Sequence, residues 1–293
     1  MKRRVIGLAK NTLVVSLPSN WTKKFKISKG GEVNVQEIDG KLILAPVSKN
    51  LEEKRISIQA KGLDKKSFAW LLIALHKSGY DEIEIFHDKE NKEVPNNLIK
   101  EMFTGFAITY QTDSITVLKC LAHELDKEFL SIFNRNFLVA LQLADQTLNA
   151  LTSKNLNPAS LELEKINNKL TQFCQRILIK QNQDKACFYY LTLWNLEKIC
   201  NLYRDICNYF LKNKETKTSK EELEFFSKVN SYLRFYYDLF TNFKLEKMKT
   251  FVEEKEKIEE FSKRFNSDLS IFLKKILSKI YELGPTTMAI KLN

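Results

Sequence analysis

Leu13-Val-Val-Ser-Leu17, Pro18-Ser-Asn-Trp21-Thr-Lys23-Lys24-Phe25 and Ile27-Ser-Lys29-Gly30-Gly31-Glu-Val33 lie close together near the start of a 293-residue chain. Leu13 to Leu17 reads as a short apolar strand stopped by Pro18, whose nitrogen has no hydrogen to give a ladder. Pro18 to Phe25 reads as one short helix, with Ser19 as N-cap and Trp21 and Phe25 four apart on one face. Gly30-Gly31 is a turn signal. Val33, Val35 and Ile38 mainly alternate, and Asp39-Gly40 marks a hairpin before Leu42-Ile-Leu44. Residues 1–46 therefore form a β-rich piece too short to bury an adequate core alone. It is expected to take its core from a second copy.

The same piece carries the charge. Residues 1–29 hold eight Lys or Arg and no Asp or Glu, and residues 1–50 have a net charge of +7 out of +11 for the chain. A localised excess of this kind is an electrostatic footprint for phosphates, in nucleic acid or anionic lipid. The rest of the composition, 44% hydrophobic and 28% charged, is that of a folded soluble protein. The longest apolar run, Phe68 to Leu75, is eight residues, against the ~20 a membrane helix needs. Lys10 and Asn11 interrupt the apolar stretch after Met1-Lys-Arg-Arg4, which argues against a secretory signal. Five cysteines without CxxC spacing suggest reduced thiols. A cytoplasmic location is expected.

Outward from this piece, residues 47–54 are a polar connector and residues 55–120 mix strand and helix periods. Arg55 to Ala60 and Glu82 to Phe86 alternate as strands. Asp64 to Ser78 reads as a helix ended by Gly79, Pro95 to Phe103 as another, and Phe106–Tyr110 and Ser114–Val117 as a hairpin. This order predicts a small α/β sandwich with helices on one face of a sheet. In residues 121–293 no glycine occurs between Gly105 and Gly284, and Pro158 is the lone proline between Pro95 and Pro285. Apolar stripes such as Leu125, Phe129, Phe133 and Phe137, or Leu245, Met248 and Phe251, predict five or six amphipathic helices in an antiparallel bundle. Ser160 is the expected cap of the second helix. The fold class is thus multidomain α+β.

Three groups of residues carry a resemblance. Met1 to Phe25 with Ile27 to Val33 resembles the AbrB/SpoVT/MazE swapped-hairpin DNA-binding domain, and more particularly the version fused to archaeal PhoU-like phosphate-uptake regulators. Ala74 to Ile85, Gly105 to Ile115 and Trp194 to Asn201 are similar to later parts of that fusion. The resemblance implies a dimeric swapped-hairpin β-barrel over 1–46, a linker over 47–54, the sandwich over 55–120 and a PhoU-like bundle over 121–293. Gly30-Gly31 departs from the Gly-Asp usual in the family and leaves the turn intact. PhoU helices hold multinuclear metal through a carboxylate followed four residues later by aspartate, a spacing that puts both oxygens on one helix face. The matching positions here are Glu164…Asn168 and Glu197…Asn201, each with an amide in place of the aspartate. They are expected to be solvated or bundle-bridging polar residues, with no metal or other cofactor.

Other chemistry is sparse. His76, His87 and His123 have no metal-ligand spacing and are expected to be ordinary solvent-facing or helix histidines. Cys200 and Cys207, seven apart on one helix, are expected to be small core residues. Tyr189-Tyr190 and Phe235-Tyr236-Tyr237 are expected in the core or an interface. No glycine-rich phosphate loop, nucleophile elbow or ordered catalytic triad is present, so an enzyme is not expected.

Two function classes remain. One is a dimeric transcriptional regulator that binds double-stranded DNA through Arg3, Arg4, Lys10, Asn11, Lys23 and Lys24, with the helical region sensing a signal or docking a protein partner. Lys and Arg supply phosphate affinity and release counterions, while Lys10 and Asn11 are the candidates for base edges. The resemblance links this regulator to phosphate uptake. The alternative is a PhoU-like scaffold that regulates a phosphate transporter or signalling kinase without binding DNA. An acid-free segment with eight cations exceeds what a pure dimerisation barrel needs and favours the regulator. An antitoxin role is a weaker variant, since the long helical part is no short toxin-wrapping tail.

Overall fold

The computed structural model describes residues 2–9, 12–38, 40–46, 53–122, 128–153, 159–181, 184–213 and 215–292. Its contacts separate two compact units, Met1–Glu53 and Lys54–Asn293. The chain is α+β, with small strands at its N-terminal side and helices over its C-terminal region.

In the first unit β1 (Val5–Ala9) pairs antiparallel with β2 (Thr12–Val15), Val5 opposite Val15, with an irregularity between Gly7 and Ala9. Helix α1 (Ser19–Lys24) follows. The hairpin of β3 (Val33–Ile38) and β4 (Lys41–Pro46) closes through a two-residue turn in which Gly40 has φ +71°, a backbone state cheap for glycine alone. The hairpins are separate two-stranded sheets. No described side chain of this unit is buried, and Val5, Ile6, Leu8, Leu13, Val35 and Leu42 are all more than half exposed.

The second unit begins with β5 (Arg55–Gln59), α2 (Lys65–Lys77), β6 (Glu82–Phe86), α3 (Val94–Glu101), β7 (Phe106–Gln111) and β8 (Ile115–Cys120). The sheet order is β5-β6-β8-β7, with β5 and β6 parallel and the rest antiparallel. The α2 connection supplies the crossover that parallel strands need. Asp64 caps α2 by accepting from the Lys66 and Ser67 amides, and Gly79 leaves it at φ +83°. Phe68, Leu72, Ile83, Ile85, Phe103 and Leu118 form the core between sheet and helices.

Among the described residues seven helices follow: α4 (Phe129–Ser153), α5 (Ala159–Gln181), α6 (Ala186–Lys212), α7 (Lys220–Thr241), α8 (Lys247–Ser262), α9 (Asp268–Tyr281) and α10 (Leu283–Lys291). They share one core rich in aromatic rings, including Phe133, Phe137, Tyr203, Phe226, Tyr236 and Phe251, and α2 and α3 pack on α5. Among the described residues no helix is long and apolar enough to cross a membrane.

Several expectations change. Helix α10 exceeds the five or six predicted, because Pro285 sits in a first turn, where its missing N–H costs nothing. Ser19 is the first residue of α1, with Pro18 in the cap position and no side-chain cap. Ser160 falls inside α5, which starts at Ala159. Leu245 precedes α8 and is 53% exposed. Leu125 and His123 lie outside the described residues.

His76 is a helix histidine, on α2, but it and His87 are fully buried and not solvent-facing. The His87 ring is satisfied by the Asp88 carbonyl at 2.9 Å and the Thr116 hydroxyl at 2.8 Å. The His76 ring stacks on Phe103 at 4.3 Å and meets Phe106 edge-on; burial, with the Arg176 and Lys77 charges, holds it well below the usual histidine range. Cys200 and Cys207 are buried thiols without a disulfide, and burial pushes the Cys174 thiol up to about 12.

Candidate nucleic-acid interface

The basic residues of the first unit are arranged by the β1–β2 hairpin. Since Val5 lies opposite Val15, Arg3 and Arg4 precede β1 at the hairpin end from which Ser16 and Leu17 lead into α1. Lys10 and Asn11, between β1 and β2 in sequence, lie outside the described residues.

Helix α1 follows Pro18 in the cap position and has Lys23 and Lys24 in its last turn. The Trp21 and Phe25 rings meet at a tilt of 58° with centroids 5.5 Å apart, and the Lys24 ammonium lies 5.2 Å from the Phe25 ring. The Thr22 hydroxyl donates to the Ser19 carbonyl at 3.1 Å. Lys23 and Lys24 are exposed, as are Arg3 and Arg4. Among the described residues none of these four has an ion-pair partner, and no carboxylate occurs before Glu32. By contrast, cations of the second unit are extensively paired, as in Lys92–Asp113 at 2.9 Å and Lys247–Asp238 at 2.6 Å. Among the described residues, Arg3, Arg4, Lys23 and Lys24 are thus exposed cations without a carboxylate partner. Cations of this kind attract phosphates, with an affinity sensitive to salt.

The positions with the metal-motif spacing behave differently. The Glu164 carboxylate is 7% exposed and accepts from the Asn168 amide at 2.7 Å and from the Arg204 guanidinium at 2.7 Å. The same Arg204 nitrogen donates to Asn201 at 3.1 Å. An arginine charge therefore bridges α5 and α6 where the motif of paired carboxylates would want a cation. Among the described residues no three His, Cys, Asp or Glu side chains gather as a metal site would require. Sequence reasoning did not single out Arg204, which carries no motif of its own. It likewise passed over Lys26 and Lys29, although both fall in the acid-free segment.

Residues 9–52 match the model of a family described as antidote-toxin recognition MazE, bacterial antitoxin. The chain thus carries an N-terminal domain similar to that family, and the match takes in Lys10, Asn11, Lys23 and Lys24. Neither the curated proteins nor the solved structures compared gave a match. Ala74 to Ile85, Gly105 to Ile115 and Trp194 to Asn201, which extend the resemblance to PhoU-like phosphate-uptake regulators beyond the N-terminal domain, lie outside the matched residues.

Proposed function

We propose that the chain is a DNA-binding regulator, and not an enzyme, that acts as a dimer through residues 1–46. Its helical unit would serve as sensor or partner-docking module. The observation that carries the reading is the acid-free run of eight cations in residues 1–29, in the part of the chain that overlaps the family match. Arg3, Arg4, Lys23 and Lys24 would neutralise phosphates, and Lys10 with Asn11 would approach base edges. The dimer is supported by the unburied apolar faces of both hairpins, which a second copy could close into a barrel.

The test is binding of the intact protein to random-sequence duplex DNA at two salt concentrations. Affinity that falls steeply with salt supports the regulator. Absence of duplex binding at low salt overturns it.

The family description favours a second reading, recognition of a toxin. In that case the chain would purify from its native source as a stoichiometric complex with a second protein. Isolation of the chain without such a partner, with full DNA binding, would argue for the regulator alone.

A further inference from the structure

We propose that Lys26 is a phosphate-contacting residue of the duplex interface, held where the backbone by itself favours glycine. The inference rests on the DNA-binding reading and adds to it a residue and its role.

Helix α1 ends in a regular left-handed cap. The Ile27 amide donates to the Thr22 carbonyl at 2.9 Å, and the Lys26 amide to the Lys23 carbonyl at 3.3 Å. These two bonds define a Schellman motif, in which the residue after the cap adopts the left-handed conformation. That residue is Lys26, with φ +52°. Glycine enters this region without penalty, whereas any residue with a Cβ is strained there. A lysine in this place needs a reason.

Among the described residues, Lys26 and Lys185 are the two non-glycine residues with positive φ. Lys185 has a structural reason: its ammonium donates to the Ile290 and Leu292 carbonyls at 3.0 and 2.9 Å, fastening the end of α10. Lys26 has no such bond and no ion pair among the described residues, and it is exposed. Complementing the negative end of the helix is no sufficient reason either, because Lys23 and Lys24 already occupy the last turn. What remains is a third cation, turned off the helix axis by the left-handed residue, beside the two already assigned to phosphate. Strain kept at an exposed position without an internal partner points to a contact made outside the chain.

The charge and the backbone strain can be separated by substitution. Lys26→Gly removes the cation and relieves the strain, while Lys26→Arg keeps both. The full chain is titrated with a random-sequence duplex by fluorescence anisotropy over a series of salt concentrations, and each variant is melted. The expectation is that Lys26→Gly melts at or above wild type, yet binds roughly eightfold more weakly at 0.1 M salt with a slope shallower by about 0.9 for each chain engaged. Lys26→Arg should retain the wild-type slope. If wild type binds and Lys26→Gly has the same affinity and slope, the assignment of Lys26 is overturned and the DNA-binding reading stands. A lower melting temperature for Lys26→Gly also overturns it, since the side chain would then serve the fold. If wild type itself fails to bind duplex, the DNA-binding reading falls and takes this one with it.

Discussion

The Arg176 guanidinium on α5 meets the Asp81 carboxylate, just before β6, at 2.6 Å, with both side chains almost wholly out of water (3% and 2% exposed). The residues are 95 positions apart, and their pairing ties the sheet layer to the long helices. Lys180 donates to the same carboxylate oxygen at 2.7 Å, and the Lys54 amide donates to the other at 3.0 Å. Arg176 also reaches the His76 and Tyr80 carbonyls at 2.9 and 2.8 Å and lies over the Phe106 ring. A buried pair of this kind gains little over a well-packed apolar pair, but losing one partner strands the other charge.

Asp81→Ala should therefore cost about 3–5 kcal/mol, a fall in melting temperature of ~10 °C for a unit of this size. A variant melting within two degrees of wild type would show that the pair does not clamp the layers.

The pH dependence follows from the same carboxylate. Burial pushes its pKa up, but hydrogen bonds from Lys180 and the Lys54 amide, with the charges of Lys180 and Arg176, more than offset this and leave it lowered. A lowered carboxylate contributes stability that is fully present above the unfolded pKa of about 3.9 and lost as pH falls through the folded value. Wild type should lose melting temperature more steeply than Asp81→Asn below pH 4 and run parallel to it from pH 5 to 7. Parallel curves down to pH 2 would contradict this.

Gly284 lets α10 approach α8. A Cβ there would stand 3.2 Å from the Phe251 ring and 3.4 Å from the end of Met248. Phe251 is fully buried and stacked on Tyr232 at 4.8 Å, so it has little room to retreat. Gly284→Ala gains up to ~1 kcal/mol of helix propensity but meets an overpacking cost of ~1–3 kcal/mol. A net fall in melting temperature is expected. A rise would mean that Phe251 yields freely.

These residues also explain what the sequence made legible. The glycine-free run from Leu121 to Leu283 exposed its helices because their stripes are local and repeat along the chain. Helix α10 stayed hidden because Gly284-Pro285 looks like a terminator, and only contact with Phe251 shows why glycine is needed. The Ser219…Glu222 capping box of α7 is legible in its spacing alone. The Asp81–Arg176 pair and the buried rings of His76 and His87 depend on partners many residues away, which periodicity does not reveal. The basic segment was legible as charge, whereas the left-handed backbone of Lys26 was not, because no residue type announces it.

Assembly is open to direct measurement. No described side chain of residues 2–46 is buried, so the described residues of the first unit form no core by themselves. Sedimentation of the intact protein at micromolar concentration should give a dimer, and Leu13→Asp with Leu42→Asp should shift it towards monomer. Both side chains are more than 70% exposed, so in a monomer the change would be nearly silent. A wild-type monomer with the first unit folded would remove the swapped-barrel reading.

The functional reading depends most on Arg3, Arg4, Lys23 and Lys24. Replacing all four with Ala removes exposed, unpaired cations, so each change should shift stability by no more than ~0.5 kcal/mol. The effect on DNA should be far larger. If each side chain neutralises one phosphate, the salt slope should become shallower by about 0.9 per lost contact, and binding near physiological salt should disappear. Single substitutions then divide the roles. Arg3→Ala or Lys23→Ala should weaken all sequences alike, whereas Asn11→Ala, or Lys10→Ala, should relax preference at a single base pair. Footprinting of wild type beside each single variant separates the two roles. If the quadruple variant binds as wild type does, the cations of this segment are not the interface.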